Sequence, residues 1–283
     1  MLLVTDIGNT QTVVGLYEGS RLLASWRIAT RANASADELA VTLAELFALR
    51  ELGRRGIDAL AVASVVPPLT ERYRLLGQAL CGCEPLILNG QTDCGLNIRY
   101  ADRGEIGADR IASAVAAVEF FGAPVIVVDF GTATNIEVVD KSGDFIGGII
   151  APGLQTSAEA LFSAAARLAE VAVEVPPTVV GGSTRSAVQS GLTYGEIDRV
   201  DGLITRIFAE LGYSAPVVAT GGLASRVVAL SRTITATNDN LVLEGLRIVW
   251  ERTQSRDGST VAGVTAQHRQ GAAQARRGSG GNT

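Results

Sequence analysis

Hydrophobic and polar residues follow the same order of patterns twice along the chain. Residues 2–16 and 125–139 each read as an apolar strand, a short polar turn and a second run of β-forming residues. A further turn and a third strand follow each copy, over residues 21–28 and 145–150. The pattern therefore predicts two three-stranded meanders, each of which opens one half of the molecule.

Between and after the meanders, the pattern predicts alternating strands and helices. Apolar residues at helical spacing and helix-end signals predict helices over residues 37–49, 110–121, 154–168, 184–211 and 241–252. Short apolar runs predict strands over residues 59–66, 85–88 and 216–220. We interpret Thr184 as the N-cap of the fourth helix and Gly212 as its C-terminal stop. The prediction is an α/β fold with two similar halves, residues 1–118 and 119–253.

The C-terminal segment has a different composition from the rest of the chain. Residues 254–283 are rich in Gly, Ala, Ser, Gln and Arg and contain almost no large apolar side chains. Such a segment buries too little apolar surface to offset the entropy of ordering it. We therefore predict that this tail is disordered and takes no part in the fold.

Composition and charge narrow the function classes. The 283 residues carry a formal net charge of −5 with no dominant basic patch, so we expect no nucleic-acid partner. No apolar run reaches the ~18 residues of a membrane helix and the N-terminus lacks a signal-peptide pattern, so we expect a cytoplasmic protein without a membrane partner. The three cysteines, Cys81, Cys83 and Cys94, are interpreted as packed thiols.

Two residue counts restrict the chemistry. The only histidine, His268, lies in the tail, and the only lysine is Lys141. Catalysis by a histidine, a phosphate-loop lysine or a Schiff-base lysine is therefore nearly excluded. If the protein is an enzyme, its acid–base chemistry falls to Asp or Glu.

The two matching turns carry candidate phosphate-binding residues. Asp6 and Gly8 in the first copy match Asp129 and Gly131 in the second, 123 residues later. Glycine lets backbone N–H groups approach anionic oxygens, and an aspartate at a strand end can hold Mg²⁺. One such turn is common in proteins, but two at matching places, together with a later glycine pair, favour nucleotide binding.

A third aspartate is the candidate general base. Asp109 follows Gly107 and Ala108 at a predicted helix start, where we expect the helix N-terminus to lower its pKa and keep it ionised. Phosphoryl transfer to an alcohol benefits from a carboxylate that accepts the hydroxyl proton. Arg110 beside it could bind a substrate carboxylate with two hydrogen bonds.

Simpler interpretations stay open for these residues. An aspartate at a helix start is often only a cap, and Arg110 only a surface charge. Rival acids lie nearby or in the second meander, without a paired glycine turn and helix start: Asp102, Glu105 and Glu137. In the fourth helix, Gly191 and Gly195 permit a close helix contact, either within the chain or between two chains.

Five segments together resemble the type III pantothenate kinases, a family of the acetate and sugar kinase, Hsp70 and actin superfamily. They are DIGNT at 6–10, GADR at 107–110, DFGTA at 129–133, GGIIAPG at 147–153 and ATGG at 219–222. The similarity covers residues 1–254, with the motifs in the expected order. It implies two actin-like ATPase (ribonuclease H-like) domains and ATP-dependent phosphorylation of pantothenate, the first step of coenzyme A biosynthesis.

The resemblance also implies roles for individual residues. Asp109 would be the general base, Asp129 would bind a monovalent cation (K⁺ or NH₄⁺), and Asp6 would lie near Mg²⁺. The residues expected at ATP are Asp6, Ile7, Gly8, Asn9, Thr10, Gln11, Thr12, Val13 and Thr132, to which we add the glycine turn Gly221 and Gly222. The residues expected at pantothenate are Tyr100, Gly107, Ala108, Asp109, Arg110 and Thr184. The family is homodimeric, and its pantothenate site is completed near the dimer interface.

Two other functions stay open at this point. Another small-molecule kinase of the same fold, for acetate or a sugar, would share the phosphate loops but lack the GADR segment. A non-catalytic ATP-binding regulator would bind nucleotide without turnover, and some relatives of the family were first described as accessory transcription factors. All five motifs are intact, which favours the kinase.

Overall fold

The computed structural model describes residues 1–52, 56–165, 168 and 170–256. The predicted tail lies outside these residues, apart from residues 254–256, which still belong to the last helix. The helix end predicted at Arg252 was therefore too early.

The first half contains a five-stranded mixed sheet. Its strands are β1 (Leu2–Ile7), β2 (Gln11–Glu18), β3 (Arg21–Ala29), β4 (Ala59–Ser64) and β5 (Leu86–Ile87). They lie in the order β3-β2-β1-β4-β5. The β1–β2 and β2–β3 pairs are antiparallel, whereas β4 and β5 add in parallel.

The second half contains a six-stranded mixed sheet. Its strands are β6 (Asn97–Ile98), β7 (Val125–Phe130), β8 (Ala133–Val139), β9 (Asp144–Pro152), β10 (Val217–Thr220) and β11 (Ala236–Thr237). They lie in the order β11-β10-β7-β8-β9-β6. Here β7, β8 and β9 pair antiparallel, and β10 adds to β7 in parallel. The predicted α/β class is confirmed.

Helices cover both sheets and also fill the space between them. The α-helices of the described residues are α1 (Ala36–Ala48), α2 (Pro67–Cys81), α3 (Ala108–Phe121), α4 (Leu154–Ala164), α5 (Thr184–Leu211), α6 (Ala224–Val227) and α7 (Leu241–Arg256). Side chains of α1 and α2 share an apolar core with the outer face of the first sheet. Side chains of α4, α5 and α6 do the same on the second sheet. Helices α3 and α7 lie in a central core between the two sheets.

The composition of α3 suits its central place. Its buried positions include Ala112, Ala114, Ala116 and Ala117, so the helix is small and apolar on nearly all sides. A Cβ on Gly245 of α7 would overlap the backbone carbonyl of Ala112. Only glycine therefore permits the close crossing of α3 and α7.

Two local predictions were wrong, and several elements were not predicted, of which helix α2 is the longest. Ser183, not Thr184, is the N-cap of α5: its hydroxyl accepts a hydrogen bond from the backbone N–H of Ser186. Helix α4 ends at Ala164, before the predicted residue 168. No element was predicted for residues 67–81, where α2 begins at Pro67, because proline was taken only as the end of a strand although it also suits a first helical turn.

The proposed division at residue 118 stays a prediction. Helix α3 continues across it to Phe121. The central core combines Leu2 of β1 with Val127 of β7 and Leu246 of α7. The two halves therefore share one of the three apolar cores of the described residues.

Candidate active site

Strand alternation directs two of the three candidate aspartates toward the central layer. Side chains two residues apart in a strand share a face. In β1, Leu2 and Val4 belong to the central core, so Asp6 points to the same side. The matching strand β7 repeats this arrangement, with Val127 two residues before Asp129.

Electrostatic effects link these two carboxylates to Asp109 at the start of α3. Burial raises the pKa of Asp6 well above its usual value, and the carboxylates of Asp109 and Asp129 raise it further. Burial and the charge of Asp109 raise the pKa of Asp129 to about 7. All three side chains keep some contact with solvent. The three acids therefore lie near one another in the region where the facing sides of the two sheets meet the start of α3, which we call the cleft.

The environment of Asp109 corrects one expectation. Its Oδ1 accepts a hydrogen bond from the backbone N–H of Arg110 at 2.9 Å, which favours the ionised form. Burial nevertheless has the larger effect, so the pKa of Asp109 is raised rather than lowered. The raised pKa brings this carboxyl closer to the range in which a general base works well.

Each of the two matching turns is closed by a hydrogen bond from its glycine N–H, over different spans, and the two turns contact each other. The N–H of Gly8 donates to the carbonyl of Gln11, and that of Gly131 donates to the carbonyl of Ala133, each at 3.0 Å. The hydroxyl oxygens of Thr10 and Thr132 are 3.0 Å apart. The candidate phosphate loops of the two halves therefore meet.

The later glycine turn, Gly221 and Gly222, packs against the end of β7 beside Asp129. Gly221 has a positive φ of 95°, which strongly favours glycine. A Cβ there would overlap the carboxylate of Asp129 and the backbone of Phe130. Gly222 follows it and is exposed. The turn thus places backbone atoms without a side chain against Asp129, the candidate cation ligand.

The predicted ATP loop presents its residues unequally. Gly8 is partly exposed, and Asn9, Thr10 and Gln11 are exposed. Ile7 is fully buried in the outer core, and the buried hydroxyl of Thr12 is 2.9 Å from that of Thr30. Val13 is partly buried against the central core. Any ligand contact at Ile7 or Thr12 therefore falls to the backbone.

Arg110 is not a surface charge. Its Nε donates to Oε1 of Glu137 at 2.9 Å, and both side chains are buried. The guanidinium also lies 5.9 Å from the ring centre of Phe145 and beside the hydroxyl of Tyr100. Nη2 of Arg110 and Oε2 of Glu137 are buried without a hydrogen-bond partner. The ion pair with Glu137 holds Arg110 beside Tyr100, and Arg110 directly follows Asp109 in the chain.

Other predicted residues lie at the edges of the site or away from it. Gly107 is the N-cap of α3, Ala108 is buried, and the rival acid Asp102 caps its own short turn through Gly104. Thr184 lines a groove of about 530 Å³ between α4 and α5. None of the other predicted site residues lines that groove.

Sequence reasoning missed Arg27 of β3. Its positive charge lowers the pKa of both Asp6 and Asp129, so the side chain lies near both carboxylates. Counting back from the β2–β3 turn would have set Trp26 opposite Val13. A register shift between Leu16 and Tyr17 places Arg27 there instead, so the sequence offered no signal for it. Asn135, paired with Asp129 across β7 and β8, also has a buried, unpartnered Oδ1.

Known proteins of one family resemble this chain over most of its length. A family profile described as type III pantothenate kinase matches residues 2–206. The type III pantothenate kinase of Thermomicrobium roseum is 48% identical over 252 residues, 89% of this chain and 97% of that protein. That of a Roseiflexus species is 46% identical over 255 residues, 90% of this chain and all of that protein.

Solved structures share the fold at low identity. A ROK hexokinase from Thermus thermophilus has a TM-score of 0.50 at 12% identity and covers 90% of this chain and 99% of its own. A conserved Campylobacter jejuni protein assigned to the Baf family of transcriptional activators has a TM-score of 0.54 at 18% identity, covering 89% and 99%. The profile match and the nearly full-length relatives confirm the resemblance drawn from the motifs: the chain belongs to the type III pantothenate kinase family.

Proposed function

We propose that this protein transfers the γ-phosphate of ATP to the primary hydroxyl of pantothenate, giving 4′-phosphopantothenate and ADP, at the start of coenzyme A synthesis. The observation that carries the proposal is the meeting of Asp6, Asp109 and Asp129 in one cleft between two sheets. All three stand in the segments DIGNT, GADR and DFGTA, on which the family resemblance was drawn, and the chain belongs to that family. The two halves would be actin-like ATPase domains that hold the nucleotide between them.

The transfer assigns a distinct task to Asp109. As the pantothenate hydroxyl oxygen bonds to the γ-phosphorus, the bond from phosphorus to the bridging oxygen breaks and its electron pair stays on ADP. The hydroxyl proton passes to the carboxylate of Asp109. Burial supports this role, because it raises the affinity of Asp109 for a proton.

The cleft residues also suit the expected cations. The charges of Asp109 and Asp129 raise the pKa of Asp6, and the charge of Asp109 raises the pKa of Asp129. A bound cation would relieve this repulsion between the ionised carboxylates. The described residues contain no group of three or more His, Cys, Asp or Glu arranged to hold a metal alone, and Mg²⁺ commonly takes one or two carboxylates plus phosphates. Mg²⁺ at Asp6 and K⁺ or NH₄⁺ at Asp129 would neutralise charge around the phosphates.

Pantothenate would lie along the start of α3. Its carboxylate suits the unpartnered Nη2 of Arg110, whose guanidinium Glu137 holds in place. Tyr100 lies beside that guanidinium, and Gly107 and Ala108 offer backbone close to Asp109.

A homodimer would bring Thr184 to the same substrate. The groove that contains Thr184 is lined with Leu161, Val188, Gly191 and Leu192, an apolar surface suited to a second copy. Size-exclusion chromatography with light scattering would test this. A monomer at working concentrations, with full activity, would contradict the dimer.

No helix of the described residues is long and apolar enough to cross a membrane. We infer a cytoplasmic enzyme that acts on a small molecule. Mass spectrometry after incubation with MgATP, K⁺ and pantothenate should detect 4′-phosphopantothenate, with acetate and sugars as comparison acceptors. A product from another acceptor alone would indicate a different kinase, and nucleotide binding without any product would indicate a regulator.

A further inference from the structure

The proposed kinase lacks a lysine at its cleft. The chain's only lysine, Lys141, lies beyond the far end of β8, and its ammonium group sits 3.8 Å from the ring centre of Tyr213. A triphosphate carries several negative charges, and phosphoryl transfer depends on positive groups that stabilise them. Apart from bound cations and backbone N–H groups, that charge falls to arginine.

Two arginines act on the cleft carboxylates, and one of them, Arg110, is already assigned to Glu137 and to the pantothenate carboxylate. Arg110 forms a buried ion pair with Glu137. Arg27 is exposed, and its Nη1 donates to the uncharged amide oxygen of Gln11 at 3.1 Å. Within the described ranges, no carboxylate lies at ion-pair distance from Arg27. Its charge is therefore available to a ligand.

The register of the first sheet directs Arg27 into the cleft. Asp6 of β1 pairs with Val13 of β2, and Val13 pairs with Arg27 of β3. Residues directly opposite one another share a face of the sheet, so Arg27 projects from the same face as Asp6, two strands away. This is the face that looks toward the second half.

The guanidinium reaches the other wall of the cleft. A Cβ built on Gly222 would stand 2.6 Å from Nη1 of Arg27, so the glycine leaves room for it. Gln11 and Gly222 belong to the candidate nucleotide loops of opposite halves. Arg27 thus touches both loops at the place where they would surround the phosphates.

We propose that Arg27 is a catalytic residue that binds the terminal phosphates of the nucleotide across the cleft, an assignment that rests on the proposed kinase function. Its forked guanidinium can contact two phosphate oxygens at once. It stabilises the charge that grows on the bridging oxygen as the bond to the γ-phosphorus breaks. Its contacts with both loops also favour a closed cleft.

The test compares Arg27→Gln with Arg21→Gln, a matched control on the same strand whose side chain forms an exposed ion pair with Glu18. We expect Arg27→Gln to lower kcat for phosphopantothenate formation by about 10²-fold or more, while the KM for pantothenate changes by less than about threefold. Arg21→Gln should behave like the wild type. Both melting temperatures should stay close to that of the wild type, because both side chains are exposed.

Two further variants separate chemistry from packing. Arg27→Lys keeps the charge but loses the fork, so we expect an intermediate kcat. Arg27→Ala should regain part of its turnover when free guanidinium is added, which a purely structural role would not produce. Turnover of Arg27→Gln within about threefold of the wild type would overturn the assignment of Arg27 alone. A wild-type protein that makes no phosphopantothenate would instead overturn the proposed function, and this assignment with it.

Discussion

The hydroxyl oxygens of Thr10 and Thr132 lie 3.0 Å apart, although the two residues belong to different halves of the chain. This contact joins the turns that follow β1 and β7, at the mouth of a cleft that also contains Asp6, Asp109 and Asp129.

Thr132→Val should weaken ATP binding without destabilising the fold. The hydrogen bond is exposed, so its loss should lower the free energy of unfolding by less than about 1 kcal/mol. The KM for ATP should rise about tenfold if the hydroxyl contacts a phosphate. Steady-state kinetics and thermal unfolding would measure both, with Thr205→Val on the outer helix α5 as the control. An unchanged KM would remove Thr132 from the nucleotide site.

Asp109→Asn should abolish most of the catalysis and leave nucleotide binding nearly intact. The amide cannot accept the hydroxyl proton, so kcat should fall about 10²-fold or more. Calorimetric titration with an ATP analogue would check binding. Asp102→Asn, which alters an exposed cap in the preceding turn, is the matched control. Unchanged turnover in Asp109→Asn would end its assignment as the base.

On the acid side, kcat/KM for pantothenate should fall at a pH above the ordinary pKa range of aspartate. The base works only when ionised, and burial raises the pKa of Asp109. Activity should therefore fall as pH drops through that raised value, which belongs to the coupled carboxylates together. Measuring kcat/KM for pantothenate against pH tests this. A profile that stays flat down to about pH 4 would contradict it.

The stabilising effect of K⁺ should depend on pH. The pKa of Asp129 is raised to about 7, so the ligand-free folded state binds a proton that the unfolded chain releases near pH 4. This carboxyl's contribution to stability therefore declines as pH rises from about 4 to about 7. K⁺ competes with that proton, so it should raise the melting temperature more at pH 8 than at pH 6. Asp129→Asn should remove the difference, and an equal K⁺ effect at both pH values would argue against a cation at Asp129.

Replacing a glycine by alanine should have opposite effects on stability at Gly245, where α7 crosses α3, and at Gly202, which has open space around it. Gly245→Ala would push a Cβ into the carbonyl of Ala112, so we expect a loss of about 2 kcal/mol or more in the free energy of unfolding. Gly202→Ala in α5 has open space around it and should gain about 1 kcal/mol from helix propensity. Urea denaturation of the two variants would measure the difference. A Gly245→Ala variant with the same free energy of unfolding as the wild type would mean that α3 and α7 can move apart to make room for the methyl group.

Much of the site was open to prediction because it is local in the chain. The turns carrying Asp6 and Asp129 follow apolar strands, and Asp109 follows a glycine at a helix start. Arg110 was harder, because its partner Glu137 is 27 residues away in a different element. The raised pKa of Asp109 was missed for the same reason, since burial by distant residues outweighed the local effect of the helix start.

The sequence by itself determined the two repeated turns, the period of each strand and helix, and the family, since these depend on neighbouring residues and their spacing. Tertiary structure alone decided which charges meet. It brought Arg27 to Gly222, joined Thr10 to Thr132, and buried Arg110 against Glu137. Those contacts depend on how two sheets pack around α3 and α7, and electrostatic energies vary steeply with distance and burial, which no stretch of sequence specifies.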